Sequence, residues 1–279
     1  MVSGTGIGEE PGNHKKVFTG SRTDLEPRTF LIGTFIGATI KLVASLHPNF
    51  LTRILIGIRE SFKMVNKFEE IKNAYASKFR EHGVSSASML MPKGRHDARF
   101  AIVADYLRKY HNPTILDYGC GLGFLHTFLE EEGITHQYLG VDIVPEFIES
   151  CNDRVATSAR FELIQPDADL LDDFDFVYAS GVFNLQTELS KENSLAYAQA
   201  RIIKLFQVTK KVMIIDFLSP DVDFQQETSQ HIDYRMVLDW LVPGSSRRWI
   251  LRHDYLPYEY SLVMFKNDEV SHPDNVFVD

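Results

Sequence analysis

Seven residues between positions 117 and 143 have the types and spacing to hold a nucleotide. Asp117, Gly119, Cys120, Gly121 and Gly123 fall in the run Thr114-Ile-Leu-Asp-Tyr-Gly-Cys-Gly-Leu-Gly-Phe124. Asp142 and Ile143 close the run Gln137-Tyr-Leu-Gly-Val-Asp-Ile143. Three alternating glycines make a turn tight enough to bring backbone N–H groups against a ligand. A carboxylate about 20 residues further on, at the end of a strand, can accept both hydroxyls of a ribose. Dinucleotide sites use G-x-G-x-x-G. Here the third glycine comes one residue early and position 124 is Phe. Asp117 stands two places before the first glycine, where it would repel a diphosphate. It suits the ammonium group of an amino acid, directly or through water.

A second group of residues can handle the acceptor of a reaction. Ser180 to Asn184 follows an apolar strand, and ligands of open α/β sheets bind outside the carboxyl ends of the strands. Ser180 is therefore expected to meet the cofactor. Asn184 either orients substrate or holds the turn. His231 follows a long polar loop, 218–230, and His253 opens the loop Asp254-Tyr-Leu-Pro-Tyr258. Either histidine can take a proton near neutral pH. Tyr234 lies close to His231 in sequence. The plainer role for each histidine is a structural hydrogen bond.

The surrounding elements alternate in period. Ile115–Leu116, 138–141, 160–164, 175–179 and 211–217 read as buried strands. Phe124, Leu125, Phe128 and Leu129 share one helix face, and Gly133 can stop that helix. Pro145 starts a helix reaching about 155. Helices are also expected at 192–208 and 232–241, then strands at 248–253 and 260–266. Ahead of the first strand, Phe68, Ile71, Tyr75 and Phe79 form a helical stripe, and Gly83 can end it. Residues 85–91 read as loop. Asp97 is the expected cap of a helix over 98–110.

The pattern Asp117-x-Gly119-x-Gly121-x-Gly123, with Asp142 downstream, resembles motif I and the following acidic position of class I S-adenosylmethionine (SAM) methyltransferases. The resemblance implies SAM as cofactor and a doubly wound, Rossmann-like α/β fold. That fold has a seven-stranded sheet, order 3-2-1-4-5-7-6, with an antiparallel last strand and N-terminal lid helices. It also implies that an acid after the third strand, Asp167 or else Asp169, takes the adenine amino group beside Ala168. Arg99 resembles the arginine of ubiquinone-pathway O-methyltransferases that meets the SAM carboxylate, with Arg95 and Lys93 as rivals. Tyr75 either closes over the cofactor or packs as a core aromatic. The runs 79–83, 93–100, 179–184 and 251–259 are similar to a group of small bacterial class I methyltransferases, and the likeness spans about 64–266. No Asn-Pro-Pro-Tyr motif of amino-methyltransferases follows the fourth strand. The expected reaction is methyl transfer to a small-molecule or sugar-linked acceptor, at oxygen rather than nitrogen. The rivals are an NAD-linked oxidoreductase or epimerase and a SAM-binding non-catalytic scaffold.

Composition bounds the rest. The 279 residues are 44% hydrophobic, with 20 Phe and 11 Tyr, enough for one large domain. A net charge of −9 argues against a general nucleic-acid surface. Two cysteines make no disulfide framework, which fits a cytoplasmic protein, monomer or homodimer. There is no C-x-x-C or H-E-x-x-H run. Residues 1–28 read as a disordered leader and 29–63 as an apolar helical extension. Its run 30–58 gives possible membrane contact, although it is short for a span and carries Lys41 and Arg53. Met64 also reads as a natural start, with 64–279 as the methyltransferase domain.

Overall fold

The computed structural model describes residues 67–91, 94–155, 159–185, 191–242 and 247–266, all within the unit Glu60–Asp279. The leader, the apolar run 30–58, the alternative start at Met64 and Lys93 lie outside the described residues.

Seven strands form one sheet: β1 Thr114–Tyr118, β2 Gln137–Asp142, β3 Ala159–Leu163, β4 Phe174–Ser180, β5 Thr209–Leu218, β6 Trp249–Arg252 and β7 Glu259–Phe265. Their order is β3-β2-β1-β4-β5-β7-β6. The first five pair in parallel, and β7 runs antiparallel to both β5 and β6. This is the order, with the antiparallel last strand, that the resemblance implies. Helical residues 67–82 (α1) precede α2 Arg95–Leu107, α3 Phe124–Glu131, α4 Pro145–Arg154, α5 Lys191–Gln207 and α6 Tyr234–Leu241.

The central strands are apolar on both faces because both faces are covered. Leu116, Val177, Ala179, Met213 and Ile215 join Ile202 and Leu205 of α5 in one core. Ile115, Phe176, Tyr178 and Ile214 join Phe100 and Val103 of α2 and Leu125 and Leu129 of α3 in the other. The period of two in the strands and of 3.6 in the helices sorts these side chains.

Two local expectations are corrected. Asp97 does not cap α2; Gly94, at φ +85°, holds that position and Asp97 lies in the first turn. The helix starts earlier because Arg95 and His96 join it, His96 stacking on Phe100 with ring centroids 5.5 Å apart. Asp97 still complements the positive end of the helix. The stretch 85–91 contains a short 3₁₀ turn, Ser86–Met89. The chain leaves β1 towards β2 and β3, then returns to β4 on the other side. The carboxyl ends of β1 and β4 therefore bound a topological switch point.

Candidate active site

The glycine turn follows β1. Gly119, Gly121 and Gly123 have φ of +81°, +53° and +71°. Gly119 and Cys120 donate their N–H groups to Val141 O at 2.8 and 3.0 Å, which locks the turn to the end of β2. A methyl group at Gly119 would overlap Val182 Cγ2, and one at Gly121 would lie 2.6 Å from Met89 Sδ. The positive φ and these close neighbours together favour glycine at both positions. Asp142 sits at the end of β2. Its Oδ2 accepts from Gly121 N at 2.9 Å and its Oδ1 from Val144 N at 2.9 Å. Burial raises its carboxyl above the usual range, and these backbone N–H groups oppose the rise. Each oxygen retains a lone pair for a ligand.

A cleft of about 540 Å³ opens at this switch point. Gly119, Gly121, Asp142, Ile143, Ser180, Asn184 and Arg99 line it, as do Tyr75 and Met89 from the segment before β1. Seven of the fifteen site residues expected from the sequence thus meet in one cavity. The other eight do not line it. Asp117 lies beneath the turn, 3% exposed, and accepts the hydroxyl of Tyr138. Burial drives its carboxyl up to about 7 against the opposing pull of that bond. Cys120 is buried and its thiol is pushed up by burial, then by Asp142 and Asp117. Gly123 backs onto Phe161 and Cys151.

Asp167 is exposed, and Ala168 N donates to Gln165 O at 3.1 Å. Their loop is held from below: Arg201 donates to Ala168 O at 2.7 Å and to Pro166 O, and Tyr197 Oη donates to Pro166 O at 3.0 Å. Asp169, the alternative, pairs with Lys204 at 2.7 Å. His253 is exposed, edge-on to Tyr260 at 6.5 Å. Tyr234 meets the same ring at 6.3 Å. His231 Nδ1 donates to Ser219 O at 2.5 Å. Asn184 holds its turn: its Oδ1 accepts from Leu218 N at 3.0 Å, and its carbonyl accepts from Gln230 N at 2.8 Å.

Arg99 is 2% exposed and already engaged. Its Nε donates to Glu259 Oε2 at 2.7 Å and its Nη1 to Ser180 Oγ at 2.9 Å. Arg95 Nη1 reaches the other oxygen of Glu259 at 2.8 Å from a more open position. Burial lowers the Arg99 guanidinium, but Asp216 and Glu259 outweigh it and hold the group firmly charged. Glu259 lines the cleft at 1% exposure, and the sequence reading missed it. No spacing signals a carboxylate whose partner lies 160 residues away. Met89 and Arg201 were missed for the same reason. Among the described residues there is no group of three metal-ligating side chains, and no helix long and apolar enough to cross a membrane.

Residues 115–204, from β1 to within α5, match the family model described as a methyltransferase domain. A Mycobacterium tuberculosis protein named "Putative methyltransferase Rv1506c" is 25% identical over 155 residues, 55% of this chain and 93% of its own. Among solved structures, magnesium protoporphyrin IX methyltransferase from Synechocystis PCC 6803 with bound SAH is similar at a TM-score of 0.48 and 16% identity. The similarity covers 62% of this chain and 84% of that one. A SAM-dependent methyltransferase from Aquifex aeolicus gives 0.48 and 16%, over 64% and 96%. The family match spans the glycine turn, the Asp142 carboxylate and the switch point of the observed sheet, so residues 115–204 are similar to a methyltransferase domain, in a sheet with the strand order implied by the resemblance to class I SAM-dependent enzymes.

Proposed function

We propose that the cleft transfers a methyl group from SAM to a hydroxyl of a small-molecule or sugar-linked acceptor. The observation that carries this is the cleft itself, whose volume of about 540 Å³ is in the range of small-ligand sites. Beyond Ser180 its wall presents Asn184, Gln226, Thr228 and Ser229, which are neutral hydrogen-bonding side chains suited to hydroxylated ligands. The net charge of −9 supports a small molecule over a nucleic acid.

The residues fit the cofactor. Gly119 and Gly121 line the cleft with bare backbone, which a cofactor can approach closely. Asp142 is assigned the ribose hydroxyls, Ile143 an adenine face, and the Asp167–Ala168 loop the adenine amino group. Arg95 and Arg99 flank Glu259 and are assigned to the carboxylate end, Arg95 being the more accessible. Asp117, one layer below, acts through the turn it supports.

SAM supplies a methyl group activated by its sulfonium charge. The chain's work is alignment and exclusion of water. α1 and the 3₁₀ turn contribute Tyr75 and Met89 to the roof of the cleft. A hydroxyl acceptor also gains from a general base. His231 is the first candidate, since Nδ1 is engaged by Ser219 O, which leaves Nε2 to face an acceptor, and the residue follows the lining residues Gln226, Thr228 and Ser229 in sequence. His253 and Tyr234 are the alternatives.

Calorimetric titration with SAM, S-adenosylhomocysteine (SAH) and NAD tests the cofactor assignment, and SAH release over a panel of hydroxylated metabolites tests the acceptor. Binding of SAM and SAH that is lost in Asp142→Ala, followed by turnover on a hydroxyl, is the expected result. NAD binding in their place, or methylation confined to amines, would overturn the proposal. SAM binding with no product across the panel would leave the scaffold reading.

A further inference from the structure

Beside the main cleft lies a smaller hollow of about 40 Å³. The two share Phe68, Ile71, Val182, Leu185 and Tyr197 in their walls, which makes them neighbours. The hollow is lined mainly by rings and aliphatic groups. Its polar side chains are Ser194, Tyr197 and Gln230; Gln230 is 4% exposed, and among the described residues its Oε1 has no hydrogen-bond partner. Two neighbouring polar groups are committed elsewhere. The Tyr197 hydroxyl donates to Pro166 O, and Gln230 N donates to Asn184 O.

An unpaired buried amide oxygen is costly, and folded proteins rarely leave one without a partner. The hollow exceeds the roughly 10–15 Å³ that one water needs, but an ordered water also wants two to four polar neighbours. Here Phe68, Phe183 and Leu185 make up much of the wall. That environment favours a donor carried on an apolar body. An ammonium would be poorly solvated there, whereas a neutral hydroxyl would not.

We propose that the hollow is an acceptor subsite for one hydroxyl, whose O–H donates to Gln230 Oε1 while the apolar body it is attached to lies in the main cleft. The proposal rests on the methyltransferase reading for its purpose. It narrows the acceptor to a hydroxylated ring or chain with an apolar flank.

Phenol and toluene test it, because hydroxyl and methyl are nearly the same size. Their dissociation constants are measured by NMR titration of the full-length chain and of Gln230→Met, each with and without SAH. The expected result is a phenol-to-toluene affinity ratio about tenfold lower in the variant, the size of one lost hydrogen bond to a buried partner. SAH affinity should stay within about twofold. A ratio that does not change overturns the proposal. A crystal structure of the wild-type protein soaked with phenol decides the matter independently of the variant's folding. Phenol oxygen within hydrogen-bond distance of Gln230 Oε1 supports the subsite, and phenol bound elsewhere overturns it. Failure of SAH to bind the wild type would strike the methyltransferase reading instead, and the ratio would still decide the subsite.

Discussion

Asp142 and Asp117 are both buried carboxylates at the ends of neighbouring strands, held by opposite means. Asp142 is bound by two backbone N–H groups and lines the cleft, while Asp117 has one phenol partner and lies below it. Replacing Asp142 by Ala removes a charged acceptor, worth about 1.5–3 kcal/mol per hydrogen bond. SAH affinity should therefore fall about tenfold or more by calorimetry, and an unchanged affinity would remove Asp142 from the cofactor site. Asp117 gives a pH signature. Burial raises its carboxyl from 3.8 to about 7 in the folded chain. The unfolded chain then releases this proton first as pH rises. The contribution of Asp117 is fully present below about pH 4 and is lost progressively up to about pH 7. Asp117→Asn keeps an oxygen for Tyr138 and has no proton to lose. Its melting temperature relative to wild type should rise between pH 5 and pH 8. A difference that stays flat with pH would mean that Asp117 is ionised when folded.

At the scale of elements, the cleft is held by ties between segments far apart in sequence. Arg99 of α2 grips Glu259 at the start of β7, and the pair is almost fully buried. Arg99→Met would leave a buried carboxylate with only Arg95 to answer it, a change that costs about 3–5 kcal/mol. Replacing both Arg99 and Glu259 by Met should recover most of that loss in urea unfolding. If the double variant is as unstable as the single one, the pair is not the source of the stability. Arg201 of α5 similarly holds the carbonyls of the Pro166–Ala168 loop. Arg201→Met should weaken SAH binding through that loop even though Arg201 does not line the cleft. These ties mark where sequence reading stopped. Each strand was legible because a sheet covered on both faces demands near-continuous apolar runs, and the glycine turn because its positive φ values next to Val182 and Met89 favour glycine. The helix over 98–110 was placed three residues late because the stacking of His96 on Phe100, which extends α2 backwards, depends on packing. Glu259 and Gln230 carried no local signal at all, since what makes them notable is burial. His231 and His253 have the right chemistry for a base, but neither lines the cleft, and residue type alone does not fix that placement.

For the whole molecule, strand order determines where a ligand can act. Placing β1 and β4 side by side, with their chains departing to opposite sides, opens a crevice at their carboxyl ends. Backbone from the glycine turn floors it, and residues that precede the sheet in sequence roof it. The roof is the less firmly built part. Phe68, Ile71 and Tyr75 of α1 face the cleft, and Met89 reaches Gly121 and the N–H of Leu122, 3.4 Å from its sulfur. A ligand filling the cleft would therefore bridge roof and floor, and a segment with few buried contacts gains most from such a bridge. Hydrogen exchange followed by mass spectrometry should show SAH slowing amide exchange across 67–91 by about tenfold, together with 119–123 and 142–144. The edge strand β6 lies on the opposite flank of the sheet and should exchange at an unchanged rate. Protection confined to the glycine turn would make 67–91 a fixed wall rather than a lid. Equal slowing in β6 would mean that SAH stabilises the fold as a whole, with no closure of α1 over the cleft.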